Sequence, residues 1–268
     1  MGELVFLKLG GSLITDKRRI ETPRPAVIAR LAKEIRAALE ARPDLQLLLG
    51  HGSGSFGHFV AERYKIMEGP LEDWRGYAET AVSAQRLHRL VTDALVAEKV
   101  PVVPLQPSAS ARCHDGELVE MAVAPVTELL QRGLVPLLYG DVALDDVRGC
   151  TIISTEDIFA YLAKSLHPRR VIIAGEVAGV YSGDPNRDAI VRLIAEISSQ
   201  SYGEVEQMLS SSFGVDVTGG MAAKVRSLMA MIQEQPQLTV RIVSGRRNQL
   251  VERVLVDDTL QEGTLLRF

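Results

Sequence analysis

Three short segments of the chain carry residues whose types and spacing suit the handling of phosphate. Lys8 to Ser12 reads Lys-Leu-Gly-Gly-Ser, and Gly52 to His58 reads Gly-Ser-Gly-Ser-Phe-Gly-His. Asp216 to Lys224 reads Asp-Val-Thr-Gly-Gly-Met-Ala-Ala-Lys. Glycine has no Cβ, so the backbone N–H groups of such loops approach phosphate oxygens closely. Lysine neutralises the charge spread over a phosphoryl group in transit. Taken together, the three segments point to phosphoryl transfer more strongly than any one of them alone.

The individual side chains carry different weight. Lys8 lies in an otherwise apolar strand beside Gly10-Gly11-Ser12, at the strand end where α/β proteins bind ligands. His58 falls in the first turn of a helix, where it can donate to a bound phosphate. Lys224 follows Gly219-Gly220 at helical spacing. Two lysines around one phosphate repel each other unless a carboxylate orders them. In Ser154-Thr155-Glu156-Asp157, Asp157 is assigned that role and Glu156 only a helix start, with Asp141 a lesser candidate. Met67, Trp74, Tyr77, Val82 and Leu87 form either an apolar acceptor pocket or ordinary core.

The elements that must position these residues alternate between strand and helix. Short apolar runs at Leu4–Leu9, Leu45–Leu49, Val100–Leu105, Val135–Tyr139, Val171–Ala174 and Thr239–Val243 read as strands. Helical periodicity covers Pro25–Ala41, Tyr77–Glu98, Val123–Arg132, Tyr202–Leu209 and Met221–Gln233, and further helices open at Gly52–Gly57 and Ser154. Hairpins are expected at Arg112–Val119, turning on Asp115-Gly116, and at Val142–Ile153. This pattern predicts an α/β fold with a mainly parallel central sheet covered on both faces, in one domain over 1–268.

Composition narrows the function. The chain has 268 residues, 46% of them hydrophobic, and a net charge of −4, so no overall basic field recommends nucleic acid as a partner. Its two cysteines, Cys113 and Cys150, suggest neither a disulfide framework nor a zinc cluster, and no metal ligands of the protein's own are expected. No apolar run approaches the roughly 18 residues of a membrane span. A reducing, cytoplasmic setting is expected. Gly52-x-Gly54-x-x-Gly57 matches the dinucleotide fingerprint formally, but Glu72 and Asp73 lie in loop rather than at the end of a following strand. No protein-kinase signature follows, and no Gly-Lys dipeptide exists for a Walker loop.

Together these residues resemble the amino acid kinase superfamily and, within it, the isopentenyl phosphate kinases. The resemblance runs from Lys8-Leu-Gly-Gly-Ser12 and Asp16-Lys17, through Gly54-Ser-Phe-Gly-His58 and Tyr139-Gly-Asp-Val142, to Asp216–Lys224. The Ser-Phe-Gly-His ending is the specific part, since uridylate and acetylglutamate kinases lack that histidine. The resemblance implies a three-layer αβα sandwich with an acceptor lobe (about 1–165) and an ATP lobe (about 166–268), assembled as a homodimer. It implies transfer from ATP, arriving with Mg²⁺, to isopentenyl phosphate. A phosphonate such as fosfomycin is the competing acceptor, and a non-catalytic ligand sensor is the reading from another class. Lys8, Leu9, Gly10, Gly11 and Ser12 would hold the transferring phosphates, assisted by Lys17. Ser53, Gly54 and His58 would bind the acceptor phosphate, with the backbone of Thr155 nearby. Asp157 would order the lysines, while Gly54, Glu176, Tyr181, Gly220 and Lys224 would hold ATP. The chain departs from the family pattern at Ser53, at Thr155-Glu156 and at Glu176-Val-Ala-Gly179.

Overall fold

The computed structural model describes residues 2–183, 191–212 and 220–268. Asp216–Gly219 of the third glycine segment lie outside the described residues. In chain order the elements begin β1 (Leu4–Leu9), α1 (Gly11–Ile14), α2 (Pro25–Ala41), β2 (Gln46–His51), α3 (Gly54–Arg63) and α4 (Arg75–Ala97). There follow β3 (Val102–Pro104), β4 (Arg112–His114), β5 (Glu117–Glu120), α5 (Ala124–Gln131), β6 (Val135–Tyr139), β7 (Asp141–Asp145), β8 (Gly149–Ile153) and α6 (Thr155–Leu166). The last part holds β9 (Arg170–Gly175), β10 (Glu196–Ser198), α7 (Tyr202–Ser212), α8 (Met221–Glu234), β11 (Thr239–Ser244), α9 (Leu250–Val256) and β12 (Thr264–Arg267).

Eight strands form the central sheet in the order β10-β12-β11-β9-β1-β2-β6-β3, with β1 parallel to both neighbours. β12 runs antiparallel to β11. A second sheet, β5-β4-β7-β8, carries the two expected hairpins. Asp115 and Gly116 both have positive φ (46° and 91°), which a two-residue hairpin turn requires. The sequence runs outward from β1 in one direction through β2 and in the other through β9. The carboxyl end of β1 is therefore a topological switch point.

The two sheet faces bury separate cores. Phe6, Leu48, Val171 and Ile173 pack with Phe159 of α6 and Leu228 of α8. Val5, Leu7 and Leu9 pack with Ile35 of α2, Leu87 of α4 and Val254 of α9. This is the expected three-layer αβα sandwich. The sequence reading omitted α1 and β10. α1 has only four residues, and β10 is a three-residue edge strand with one buried position, so neither shows a period.

Candidate active site

Strand parity puts the first lysine in place. Side chains alternate across a strand, so Lys8 shares the side of Phe6 and enters the layer where α6 begins. There its ammonium donates to the Glu156 carboxylate, and both side chains are buried. Glu156 stands in the first turn of α6, where the helix dipole favours negative charge. Burial alone would raise the Glu156 pKa, but Lys8 and Lys224 outweigh it and hold the carboxyl below its ordinary value. Burial lowers the Lys224 pKa; Glu156 opposes this, while Lys8 and Lys17 reinforce it. Two lysines facing one carboxylate leave the pocket with an excess of positive charge, ready for an anion.

Asp157 does not do what its sequence position suggested. Its side chain accepts from the Ser154 N–H at 2.8 Å, while Ser154 Oγ accepts from the Asp157 N–H at 3.1 Å. That capping box spends the Asp157 carboxylate on the helix end. One helical step of about 100° separates the two acids, so Glu156 points inward to the lysines and Asp157 outward. Asp141 is likewise occupied, accepting from Ser108 N and Val142 N.

The glycine loops meet backbone to backbone. Gly10 N donates to Ala174 O of β9 at 2.8 Å, and Gly52 N donates to Leu9 O at 3.0 Å. A Cβ on Gly11 would fall 2.6 Å from Gly54 N, and one on Gly52 would fall 2.8 Å from Gly11 N. Thr15 ties the loops together, donating to Gly11 O at 2.7 Å and accepting from Ser55 N at 3.0 Å. Thr155 Oγ1 donates to His51 O at 2.7 Å, fixing the start of α6 against the end of β2. Ser53 precedes α3, and Gly54 adopts φ +53°. His58 is exposed in the first turns of α3, and its imidazole makes no hydrogen bond to a described residue. Lys17 is exposed in the loop after α1.

Glu176 is held by two arginines the sequence reading passed over. Arg24 Nη1 and Arg246 Nη2 each donate to Glu176 Oε1 at 2.5 Å. Arg24 also donates to Ser12 O at 2.9 Å, joining the Gly10–Ser12 segment to the end of β9. Burial would raise the Glu176 pKa, yet the two guanidiniums lower it overall. Arg24 and Arg246 stand among ordinary surface charges in the sequence, and no spacing marks them. Tyr181 is half-buried and bridges to Leu193, and Gly220 caps α8, which carries Lys224.

The residues considered for an acceptor pocket separate. Leu87 belongs to the main core, and Met67, Trp74 and Val82 are exposed. Tyr77 joins a small cluster with Ala61, Ile66, Val142 and Cys150 between α3, α4 and the second sheet. Beside it lies a buried array that the sequence reading missed. His51 Nε2 and His88 Nδ1 are 3.0 Å apart, and the His88 and Tyr139 ring centroids are 4.3 Å apart.

A family model for the amino acid kinases matches residues 3–244. The isopentenyl phosphate kinase of Methanothermobacter thermautotrophicus is 36% identical over 273 aligned residues, covering 96% of this chain and 97% of its own. The chain belongs to the isopentenyl phosphate kinases of the amino acid kinase family. The Haloferax volcanii isopentenyl phosphate kinase is 38% identical over 85% of this chain and 88% of its own length. A solved isopentenyl phosphate kinase superposes with a TM-score of 0.83 at 31% identity, covering 98% of this chain and all of that one. A substrate complex of an isopentenyl phosphate kinase gives a TM-score of 0.77 at 26% identity, over 98% of this chain and all of that one.

Proposed function

We propose that the protein transfers the γ-phosphoryl group of ATP to the phosphate of isopentenyl phosphate, giving isopentenyl diphosphate and ADP. The observation that carries this reading is the Lys8–Glu156–Lys224 arrangement, set at the switch point beside two touching glycine loops. An acceptor oxygen forms the new P–O bond as the bond from the γ-phosphorus to the β-phosphate bridging oxygen breaks. The acceptor oxygen is already anionic, so no strong general base is needed. Catalysis then rests on in-line placement and charge neutralisation.

In this scheme Lys8, with Gly10, Gly11 and Ser12, holds the phosphoryl group in flight, and Lys17 closes over it from the exposed loop. Lys224 stabilises the ADP leaving oxygen. Glu156 takes the ordering role first assigned to Asp157, because its carboxylate accepts from Lys8 and also acts electrostatically on Lys224. Ser53, Gly54 and His58 receive the acceptor phosphate, and the His58 imidazole, with no hydrogen bond among the described residues, can donate to it. The Tyr77 cluster behind α3 is the apolar surface for a prenyl tail, which favours isopentenyl phosphate over a small polar phosphonate. Glu176, Tyr181 and Gly220 border the nucleotide, with Glu176 acting through Arg24 and Arg246. Residues up to about 165 serve the acceptor and those beyond it ATP. Mg²⁺ would arrive with the nucleotide phosphates, neutralising part of their charge, and would keep most of its water.

No helix among the described residues is long and apolar enough to cross a membrane. Buried Cys113 and Cys150, both free thiols with pKa pushed up to about 11 by burial, suit a reducing cytoplasm. A homodimer is the assembly expected of this family.

The test is ADP release with Mg-ATP and one acceptor at a time, across isopentenyl phosphate, dimethylallyl phosphate, fosfomycin, UMP and glutamate. Turnover on the prenyl phosphates supports the proposal. Turnover on fosfomycin alone overturns the substrate, and silence on all five overturns the enzyme.

A further inference from the structure

Two buried histidines stand behind the Gly52–Gly54 loop, and neither has a part in the phosphoryl transfer proposed for the protein. His51 ends β2 and pairs with Leu9 of β1 and Tyr139 of β6, so its ring lies on the sheet face that α4 covers. His88 reaches it from the middle of α4. His51 Nδ1 lies 3.1 Å from Gly52 O, and His51 Nε2 lies 3.0 Å from His88 Nδ1. Burial holds both pKa values well below 6.5, so the two rings are neutral.

These two contacts fix where the protons sit. A backbone carbonyl only accepts, so His51 Nδ1 carries a proton and donates to Gly52 O. The neutral His51 ring then offers a lone pair at Nε2, and His88 Nδ1–H donates to it. His88 Nε2 is left with a lone pair, and that atom is indeed buried with no hydrogen-bond partner among the described residues. The donors therefore run in one direction, from α4 through His51 to the loop. In the opposite His51 tautomer, Nδ1 and Gly52 O would face each other as two acceptors.

The Gly52 carbonyl sets the direction of the peptide it belongs to. In a trans peptide the carbonyl and the following N–H point to opposite sides, and no peptide among the described residues is cis. Holding Gly52 O toward the His51 ring turns the Ser53 N–H away from it, and no described residue accepts from Ser53 N. The chain path on either side is anchored separately. Gly52 N donates to Leu9 O, and His51 O accepts from Gly140 N and Thr155 Oγ1. Among the described residues only His51 bonds the Gly52 carbonyl, so the histidines govern the orientation of one peptide rather than the course of the loop.

We propose that His88 is a positioning residue for the acceptor: by donating to His51 it keeps Gly52 O drawn back and the Ser53 N–H presented to the acceptor phosphate. The proposal rests on the reading of Ser53, Gly54 and His58 as the acceptor site and extends it to a residue that touches no substrate. α4 also carries Tyr77 of the apolar cluster, so one helix sets both the surface for the tail and the amide for the phosphate. Loss of the His88 donor leaves the His51 Nε2 lone pair buried without a partner, which favours the tautomer that releases Gly52 O.

The test pairs NMR with calorimetry on the full chain. Long-range ¹H–¹⁵N correlation spectra report the His51 tautomer, and calorimetry gives the Kd of isopentenyl phosphate and, separately, of Mg-ATP. The expected parent spectrum shows His51 protonated at Nδ1. His88→Leu should move His51 to the Nε2–H form and weaken isopentenyl phosphate by about tenfold or more, with Mg-ATP within about twofold. His88→Asn keeps an N–H near the Nδ1 position and should recover most of that affinity. An Nε2-protonated His51 in the parent overturns the proposal with no variant needed, so a His88→Leu protein that fails to fold does not shelter it. Unchanged isopentenyl phosphate affinity in His88→Leu, equal weakening of both ligands, or no recovery in His88→Asn also overturns it. A parent that binds no isopentenyl phosphate refutes the acceptor reading, and the proposal with it; a parent that binds it while the variants fail these expectations refutes the role of His88 alone.

Discussion

Lys8 on the central strand and Glu156 in the first turn of α6 form a buried ion pair that joins residues 148 positions apart in the chain. Each side chain alone would be expensive to bury, and together they present a half-neutralised lysine to the pocket. Glu156→Gln removes the counter-charge and leaves Lys8 and Lys224 in mutual repulsion. The expected outcome is a loss of about 3 kcal/mol in stability, on the scale for breaking one side of a buried pair, together with a lower kcat. Asp157→Asn removes only a cap and costs about 1 kcal/mol. Equilibrium urea denaturation and steady-state kinetics check both. Equal kinetic damage from the two variants would return the ordering role to Asp157.

In the proposed mechanism, Lys8→Met and Lys224→Met remove charge needed most in the transition state. Each is expected to lower kcat by about 10²–10³, with smaller changes in KM. Unchanged turnover in either variant takes that lysine out of the mechanism.

His58 is exposed and its imidazole makes no hydrogen bond among the described residues, so His58→Ala should leave stability within about 0.5 kcal/mol of the parent. Its effect belongs to the acceptor: KM for isopentenyl phosphate rises by about tenfold or more while Mg-ATP affinity, read by calorimetry, stays constant. A change in ATP affinity alone would contradict this assignment.

Arg24 bridges Ser12 O and Glu176, two points on either side of the proposed nucleotide site. Arg24→Ala should raise the KM for ATP more than the KM for the acceptor, and Arg24→Lys should recover part of the loss because it keeps the charge but not the fork. Equal KM effects on both substrates would mean that Arg24 only supports the fold.

The His51–His88 pair makes stability depend on pH. Burial lowers the pKa of His51 from 6.5 to about 4, and of His88 from 6.5 to about 2. Both folded values lie below the unfolded value, so the stability of the neutral rings is complete above pH 6.5 and is lost as pH falls below it. For His51 alone the loss reaches about 3 kcal/mol by pH 4. The lowered pKa of Glu156 acts in the same sense at lower pH: its contribution is present above the ordinary glutamate value of 4.5 and lost below it. Denaturation midpoints measured from pH 7.5 to 4 should fall, with the decline starting near pH 6.5. The decline should be shallower in His88→Asn, and an unchanged slope would exclude His88 as a source.

Local pattern determined much of this protein. Runs such as Leu4–Leu9 and the helical period of Pro25–Ala41 specify their elements through hydrophobic spacing alone, and their alternation specifies the parallel three-layer sheet. The meeting of the Gly10-Gly11 and Gly52–Gly54 loops at the end of β1, beside Lys8, was legible because few other arrangements need flexible backbone beside a fixed positive charge. Which acid serves the lysines was decided only by tertiary structure. Glu156 and Asp157 are adjacent and chemically alike, and the rotation of α6 relative to β1 sends one inward and the other to the cap. The Arg24–Glu176–Arg246 bracket and the His51–His88 array are likewise invisible in sequence. Each joins residues from separate elements, so its existence depends on sheet order and register, which no local spacing encodes.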